Sequence, residues 1–78
     1  MNNFNEISAK TINNNHSEIY INGKYYLISY NSVVAIIDIG DMSAELNPNK
    51  NLFSRTTTKH VNQWLELHNI HKKVKDLI

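Results

Sequence analysis

The sequence predicts a small α+β domain, in which a twisted antiparallel sheet of four or five strands packs against a carboxyl-terminal helix. Three observations carry this prediction. Ile- and Tyr-rich segments flank the dipeptide Asn22-Gly23, a β-branched run follows over residues 33–39, and a threonine run over 56–58 precedes an apolar helical stripe. Threonine is a poor residue inside a helix but a good amino-terminal cap, so we expect the helix to begin near Thr57.

The first hairpin is predicted from Asn22-Gly23, the pair that favours a two-residue type I′ turn. A two-residue loop between segments 18–21 and 24–30 sets the register and pairs Tyr20 with Tyr25 and Glu18 with Leu27. The hairpin then has two faces. We expect the more apolar one to be the core, and we expect the other to be a protein-binding patch. The predicted core face carries Ile19, Ile21, Tyr26, Ile28 and Tyr30, and the predicted patch carries Tyr20, Tyr25 and Leu27.

Further strands are predicted along the rest of the amino-terminal two thirds. Residues 33–39 are nearly all β-branched, which indicates a central strand covered on both faces. A short strand over 42–46, a turn at Asn47-Pro48-Asn49 and a last strand over 52–55 complete the sheet. Residues 1–15 are polar and rich in asparagine, and their few apolar positions fit a weak helix or a loose edge strand.

The helical region shows two apolar stripes. Val61, Trp64 and Leu65 cluster on one side, and Trp64 is the first core residue we expect. The second stripe lies roughly 130° away on a straight helix and consists of Leu67, Ile70, Val74, Leu77 and Ile78. A bend or break near Asn69 is predicted; a continuous helix whose second stripe packs on a partner is the alternative. The chain is expected to form one domain over 1–78, with a weakly ordered segment at 1–15, the sheet at 16–55 and the helical region at 57–77.

Composition and charge narrow the functional classes. There is no cysteine, and no apolar run approaches the length of a membrane span, so we expect a cytoplasmic protein without membrane contact. The net charge is only +1, yet residues 50–78 hold six basic and two acidic side chains. A basic surface that binds protein or nucleic acid is therefore predicted at Arg55, Lys59, Lys72, Lys73 and Lys75.

Three sets of side chains are candidates for a chemical site. His68 and His71 have the i, i+3 spacing of a metal pair but lack a third ligand. Asp38, Asp41 and Glu45 flank a turn without the spacing of a calcium loop. Ser54 and the threonines near His60 lack a nucleophile elbow and are explained by helix capping. We therefore predict no catalytic residue, metal ligand or cofactor, and expect the protein not to be an enzyme.

Two segments resemble an uncharacterised small domain of phages and prophages. Residues 25–35 (Tyr-Tyr-Leu-Ile-Ser-Tyr-Asn-Ser-Val-Val-Ala) are similar to its Ser-Tyr-x-Thr-x-Val-Ala strand. Residues 54–60 (Ser-Arg-Thr-Thr-Thr-Lys-His) are similar to its Ser-x-Thr-Thr-Ser-Lys-His helix start. Ser32 and Thr58 depart from that pattern. The resemblance covers roughly 24–66 and implies a phage or mobile-element origin and a sheet with a carboxyl-terminal helix, but no activity.

The leading functional hypothesis is a non-enzymatic phage protein that binds and inhibits a host factor, such as a CRISPR-Cas effector. Its partner would be a host protein or nucleoprotein complex. The hypothesis is an argument from class, because small phage proteins without catalytic motifs commonly act by binding a host protein. The alternative is a small nucleic-acid-binding regulator that uses the basic helix. A second copy of the chain is a further candidate partner, because so short a chain buries little apolar surface alone.

Overall fold

The computed structural model describes residues 7–13 and 15–78 and contains a five-stranded antiparallel sheet in the order β1-β2-β3-β4-β5. The α+β prediction is confirmed. Each strand pairs with the next one along the chain, so the sheet is a meander whose hairpins form from local contacts. The strands are β1 (Ile7–Asn13), β2 (His16–Ile21), β3 (Lys24–Ser29), β4 (Ser32–Asp38) and β5 (Ser43–Leu46).

The β2–β3 hairpin forms in the predicted register. Tyr20 pairs with Tyr25 and Glu18 with Leu27. Asn22 has φ 48° and Gly23 has φ 88°, and a type I′ turn requires positive φ at both positions. Of the two alternatives for the amino-terminal segment, the edge strand is confirmed for residues 7–13, while the prediction for residues 1–6 lies outside the described part.

Two helices follow the sheet. A single 3₁₀ turn (Lys50–Leu52) stands where part of a last strand was predicted over 52–55, and that prediction is wrong. It leads into α1 (Arg55–Leu67) and then α2 (Val74–Leu77). Ser54, rather than a threonine, is the amino-terminal cap of α1, because its Oγ accepts the Thr57 N–H at 3.1 Å. The helix thus begins two residues before the predicted start.

The predicted break after the first helical stripe is confirmed. α1 ends at Leu67, and Asn69 adopts φ 60°, the left-handed conformation that terminates helices. The Ile70 N–H donates to the Leu65 carbonyl at 2.9 Å and closes the end of the helix. The chain then returns alongside α1, where Val74 N–H donates to Asn62 Oδ1 at 2.8 Å.

The core lies between one face of the sheet and the two helices. Val61, Trp64 and Leu65 are fully buried, as the stripe on α1 predicts. They pack on a set of buried sheet residues, with Ile70 and Val74 closing the carboxyl-terminal side. The buried sheet residues are Leu27, Val34, Ala35 and Ile37. We call this side of the sheet the covered face.

The predicted choice of core face is wrong. Leu27 has 0% exposure and Tyr25 packs against the core, so the helices cover the face that was expected to be a binding patch. Tyr30, placed in the predicted core, is 55% exposed in the β3–β4 turn. β4 is covered on one side only within the described residues, since a bulge turns both Val34 and Ala35 toward the helices while Val33 stays exposed.

The opposite side of the sheet, the open face, carries eight apolar side chains that lie outside the buried core. Alternation along the strands places on it Ile7, Ala9, Ile19, Ile21, Tyr26, Ile28, Val33 and Ile36. Neither helix packs on this side, because the helical core residues all contact the covered face. Ile7 is 65% exposed and Val33 is 38% exposed. Ala9 is also exposed, and the other apolar side chains of this face are half-buried by their neighbours.

Candidate functional site

Polar side chains are concentrated where β2 faces α1. His16, Glu18 and Tyr20 alternate along β2 and so share the covered face, with His16 and Glu18 buried. Opposite them, His60 and Trp64 on α1 and His68 at the carboxyl-terminal cap of this helix follow one another at four-residue spacing. Strand and helix thus meet through a polar and aromatic row instead of an aliphatic one.

Glu18 is the centre of this row. Its Oε1 accepts the Trp64 indole N–H at 2.8 Å and lies 2.6 Å from His68 Nε2. A carboxylate has only acceptor oxygens, so His68 donates to it. The His68 ring also lies 4.4 Å from the Tyr25 ring and 5.4 Å from that of Trp64. Because the carboxylate is held by two donors inside the core, it ties the sheet to the helix and is not exposed to a substrate.

A second contact of the row is a stacked pair of histidines. The rings of His16 and His60 lie 3.8 Å apart with an interplanar angle of 14°. Burial, and secondarily the neighbouring His60, lower the pKa of His16 below 6.5. The Nδ1 atoms of both rings are buried without a hydrogen-bond partner among the described residues. The sequence gives no sign of this pair, because 44 positions separate the two histidines.

The hydroxyl groups that were candidate nucleophiles form hydrogen bonds that stabilise the fold. Thr57 is buried, and its Oγ1 lies 3.2 Å from both Ser29 Oγ and Ser54 Oγ. Ser54 caps α1, which agrees with the capping explanation. His60 stacks on His16 and is not hydrogen-bonded to these hydroxyls, so the described residues do not bring a serine or threonine together with an imidazole base.

The histidine and carboxylate candidates for metal binding are also separated. Helical spacing cannot join His68 to His71, because α1 ends at Leu67 and His71 is exposed in the following loop. Asp38 and Asp41 each accept a backbone N–H two residues further on, from Gly40 at 2.9 Å and Ser43 at 3.0 Å. The hydrogen bonds from Ser43 lower the pKa of Asp41. Within residues 7–13 and 15–78 no three such side chains form a metal cluster.

The residues of the predicted tyrosine patch lie on the covered face of the sheet. Leu27 is fully buried, and Tyr25 lies between the Tyr20 ring, at 5.2 Å, and the His68 ring. Tyr20 and Tyr25 are half-buried at the margin of the core. The helix had to cover one hairpin face, and the polar partners Glu18, Trp64 and His68 fix it on this one.

The predicted basic residues are all exposed but are distributed over three segments. Arg55 and Lys59 lie on the outer side of α1, Lys72 and Lys73 in the α1–α2 loop, and Lys75 on α2. Lys75 lines one cavity together with Lys50, which is not among the predicted basic residues, and Lys73 lines a separate cavity beside α1. The sequence reveals these cations but not the cavity lined by Lys50 and Lys75, because this cavity forms only when α2 folds back beside the end of β5.

That cavity, here called the α2 groove, is an open cleft of about 650 Å³ between α2, the end of β5 and the 3₁₀ turn. Leu46, Phe53, Val74 and Leu77 supply its apolar surface, and Lys50 and Lys75 its charged groups. None of the described residues that line it is acidic. The Asn62 cap on Val74 and the Asp76 contact to Lys73 N–H, at 2.9 Å, hold α2 in place.

The described part of the chain contains no helix that is long and apolar enough to cross a membrane.

One family model covers residues 3–78, and it describes a family of unknown function (DUF8033). Comparison with curated proteins and with solved structures gives no significant match. The resemblance to an uncharacterised domain is thus confirmed, while the phage origin and the inhibitor class stay predictions. Because the match spans nearly the whole sequence, the chain belongs to the DUF8033 family.

Proposed function

We propose that this protein is a non-enzymatic binding protein that holds an acidic, partly apolar segment of a partner protein in the α2 groove. The observation that carries the proposal is the composition of that groove, which combines apolar walls with two lysines and no carboxylate. Grooves of this kind bind amphipathic segments through apolar anchors, and charge complementarity selects the partner.

Side chains that could act in catalysis are already hydrogen-bonded within the fold, and this supports a binding role over a catalytic one. Glu18 is held by Trp64 and His68, Thr57 by Ser29 and Ser54, and Asp38 and Asp41 by turn amides. These contacts stabilise elements of the fold. A catalytic group instead needs a nucleophile and a base within hydrogen-bond reach beside a cleft, and the α2 groove is lined by lysine, amide, hydroxyl and apolar side chains.

The charge of the groove argues for an acidic partner. Lys50 and Lys75 are exposed, so their ammonium groups stay hydrated until a ligand arrives. Arg55 lies on α1 three residues before Thr58, which lines the groove, and adds a third cation on the same side of the molecule. A carboxylate-bearing segment gains attraction from all three, whereas a basic segment would be repelled.

The wider function we propose is inhibition of a host factor by occupation of its surface. The resemblance to a phage domain supports this part, and a CRISPR-Cas effector is the host factor that such small phage proteins suggest. An inhibitor of this kind needs affinity and a large enough contact with the host factor, and it needs no catalytic group.

A pull-down tests the proposal. Tagged protein is incubated with nuclease-treated lysate of a bacterial host, and bound proteins are identified by mass spectrometry. We expect one host complex to be retained by the wild type and lost with Lys50→Glu and Lys75→Glu. Lys72→Glu is the matched control, because it reverses the same charge on an exposed loop residue that does not line the groove. Equal retention by all variants, or equal loss, would contradict the groove as the binding site.

A nucleic-acid-binding regulator is the second candidate, and the exposure of all five predicted cations favours it. Phosphate binding releases counterions, so the affinity would fall steeply as salt rises. Binding that disappears after nuclease treatment, and that Lys72→Glu weakens as much as Lys75→Glu, would support this candidate against the acidic-protein proposal.

A further inference from the structure

The open face has the composition of a buried surface. One row across the sheet runs Ala9, Ile19, Tyr26, Ile36 and Glu45, so four of its five residues are apolar. The adjoining rows add Ile7 and Ile21 on one side and Ile28 and Val33 on the other. Contiguous apolar patches of several hundred Å² on a soluble protein mark a site of association.

The polar residues of this face lie at its margins. Lys24 pairs across the strands with Asp38, and Glu45 follows on β5, so the charges share one corner of the sheet. Thr11 and Ser17 pair at the opposite corner. An apolar band therefore crosses the face diagonally without interruption, which is the apolar centre and polar rim of a protein interface.

The size of the face fits a second copy of the chain. Five strands at about 4.8 Å spacing and six residues at about 3.3 Å give a flat footprint of about 24 by 20 Å. Two such faces bury about 1,000 Å² before side-chain corrugation is counted, which meets the lower bound for a specific interface. The net charge of +1 also offers little repulsion between identical chains.

We propose that the open face is a homodimer interface in which two sheets pack face to face through Ile19, Tyr26 and Ile36. A two-fold axis in the plane of contact lays each diagonal band on its counterpart, so that the same residues meet from both chains. The two helical layers then lie on the outside of a four-layer dimer. Each α2 groove stays accessible, because it lies on the helical side, and the dimer proposal does not depend on the groove.

Sedimentation equilibrium over a range of protein concentrations tests the proposal. We expect the wild-type chain to sediment at twice its 9.0 kDa and to dissociate on dilution. Ile36→Lys and Ile19→Lys place a charge inside the interface, so dimerisation should weaken by about 100-fold or more while circular dichroism stays native. Leu67→Lys is the matched control: Leu67 is 68% exposed on α1, away from the open face, and this variant should dimerise like the wild type.

Several outcomes would overturn the proposal. A wild-type chain that stays at 9.0 kDa up to its solubility limit excludes the dimer and leaves the face to a different protein. A dimer that both open-face variants retain, or that Leu67→Lys abolishes, places the contact elsewhere. If one open-face variant unfolds, the other variant tests whether the dimer forms through this face. Tyr26→Ser is a third substitution for the same test, and it adds no charge.

Discussion

Replacement of Glu18 tests the contact between sheet and helix on which the fold depends. Glu18→Ala removes the acceptor of the Trp64 indole N–H, and Trp64 is only 1% exposed, so no water replaces the lost bond. An unsatisfied buried donor costs about 1–3 kcal/mol, and the deleted methylene adds about 0.8 kcal/mol. The His68 side chain is 18% exposed, so its ring can turn toward bulk water outside the core, and the loss of its bond to Glu18 adds little. The sum is about 2–4 kcal/mol.

Glu18→Gln separates the hydrogen bonds from the charge. Glutamine keeps an Oε1 acceptor for both donors, and a neutral amide is less costly to bury than a carboxylate. A neutral hydrogen bond is also weaker than a charge-assisted one, so the two changes oppose each other. We expect the free energy of unfolding of Glu18→Gln to stay within about 1 kcal/mol of the wild-type value. It should therefore be clearly higher than that of Glu18→Ala.

Urea denaturation at one protein concentration, followed by far-ultraviolet circular dichroism, measures these differences. A chain of 78 residues has about 4–12 kcal/mol of stability, so the alanine variant loses a large fraction of it. Glu66→Ala is the control, because Glu66 is exposed on the outer side of α1 and should change stability by less than about 0.5 kcal/mol. Equal midpoints for the alanine and glutamine variants would refute the role of the acceptor.

Three further predictions follow from the core, the α2 cap and the histidine pair. Trp64→Ala should cost about 3–5 kcal/mol, because the fully buried indole leaves a cavity; unchanged thermal melting would show that the core is misplaced. Asn62→Ala should cost about 1 kcal/mol and expose the α2 segment to faster hydrogen exchange, while Asn62→Asp keeps the acceptor for Val74 N–H; equal exchange in both variants would contradict this cap. The pKa of His16 lies below 6.5 in the folded state, so the unfolded chain takes up the proton first and stability should fall as pH drops from about 6.5 toward 5. A melting temperature that stays level or rises over that interval would contradict the buried stack with His60.

The elements of the fold are predictable where their signals are local. Asn22-Gly23 fixes the hairpin turn and with it the register of β2 and β3. Asn69 marks the helix break because its left-handed conformation tolerates no continuation. The start of α1 is harder, since Ser54 and Thr57 both carry hydroxyls suited to a cap, and only the folded backbone shows that Ser54 makes the capping bond.

The choice of covered face was not predictable in the same way. By apolar content alone, the hairpin face with Ile19, Tyr26 and Ile28 is the better core, and it was predicted to be the core for that reason. The helix instead covers the face of Glu18, whose partners Trp64 and His68 lie 46 and 50 positions away. Such long-range pairing has no signature in a single sequence. The α2 groove was not predicted for the same reason, because segments distant in the sequence form it.

The face assignment is the central claim, and two neighbouring residues of β3 test it directly. Leu27 lies on the covered face at 0% exposure, and Tyr26 lies beside it on the open face. At a protein concentration low enough to exclude association, circular dichroism of Leu27→Lys and Tyr26→Lys is compared with the wild type. A buried unpaired charge should unfold Leu27→Lys, whereas Tyr26→Lys should keep a native spectrum and a cooperative melt. A folded Leu27→Lys beside an unfolded Tyr26→Lys would place the helices on the other face and contradict the account.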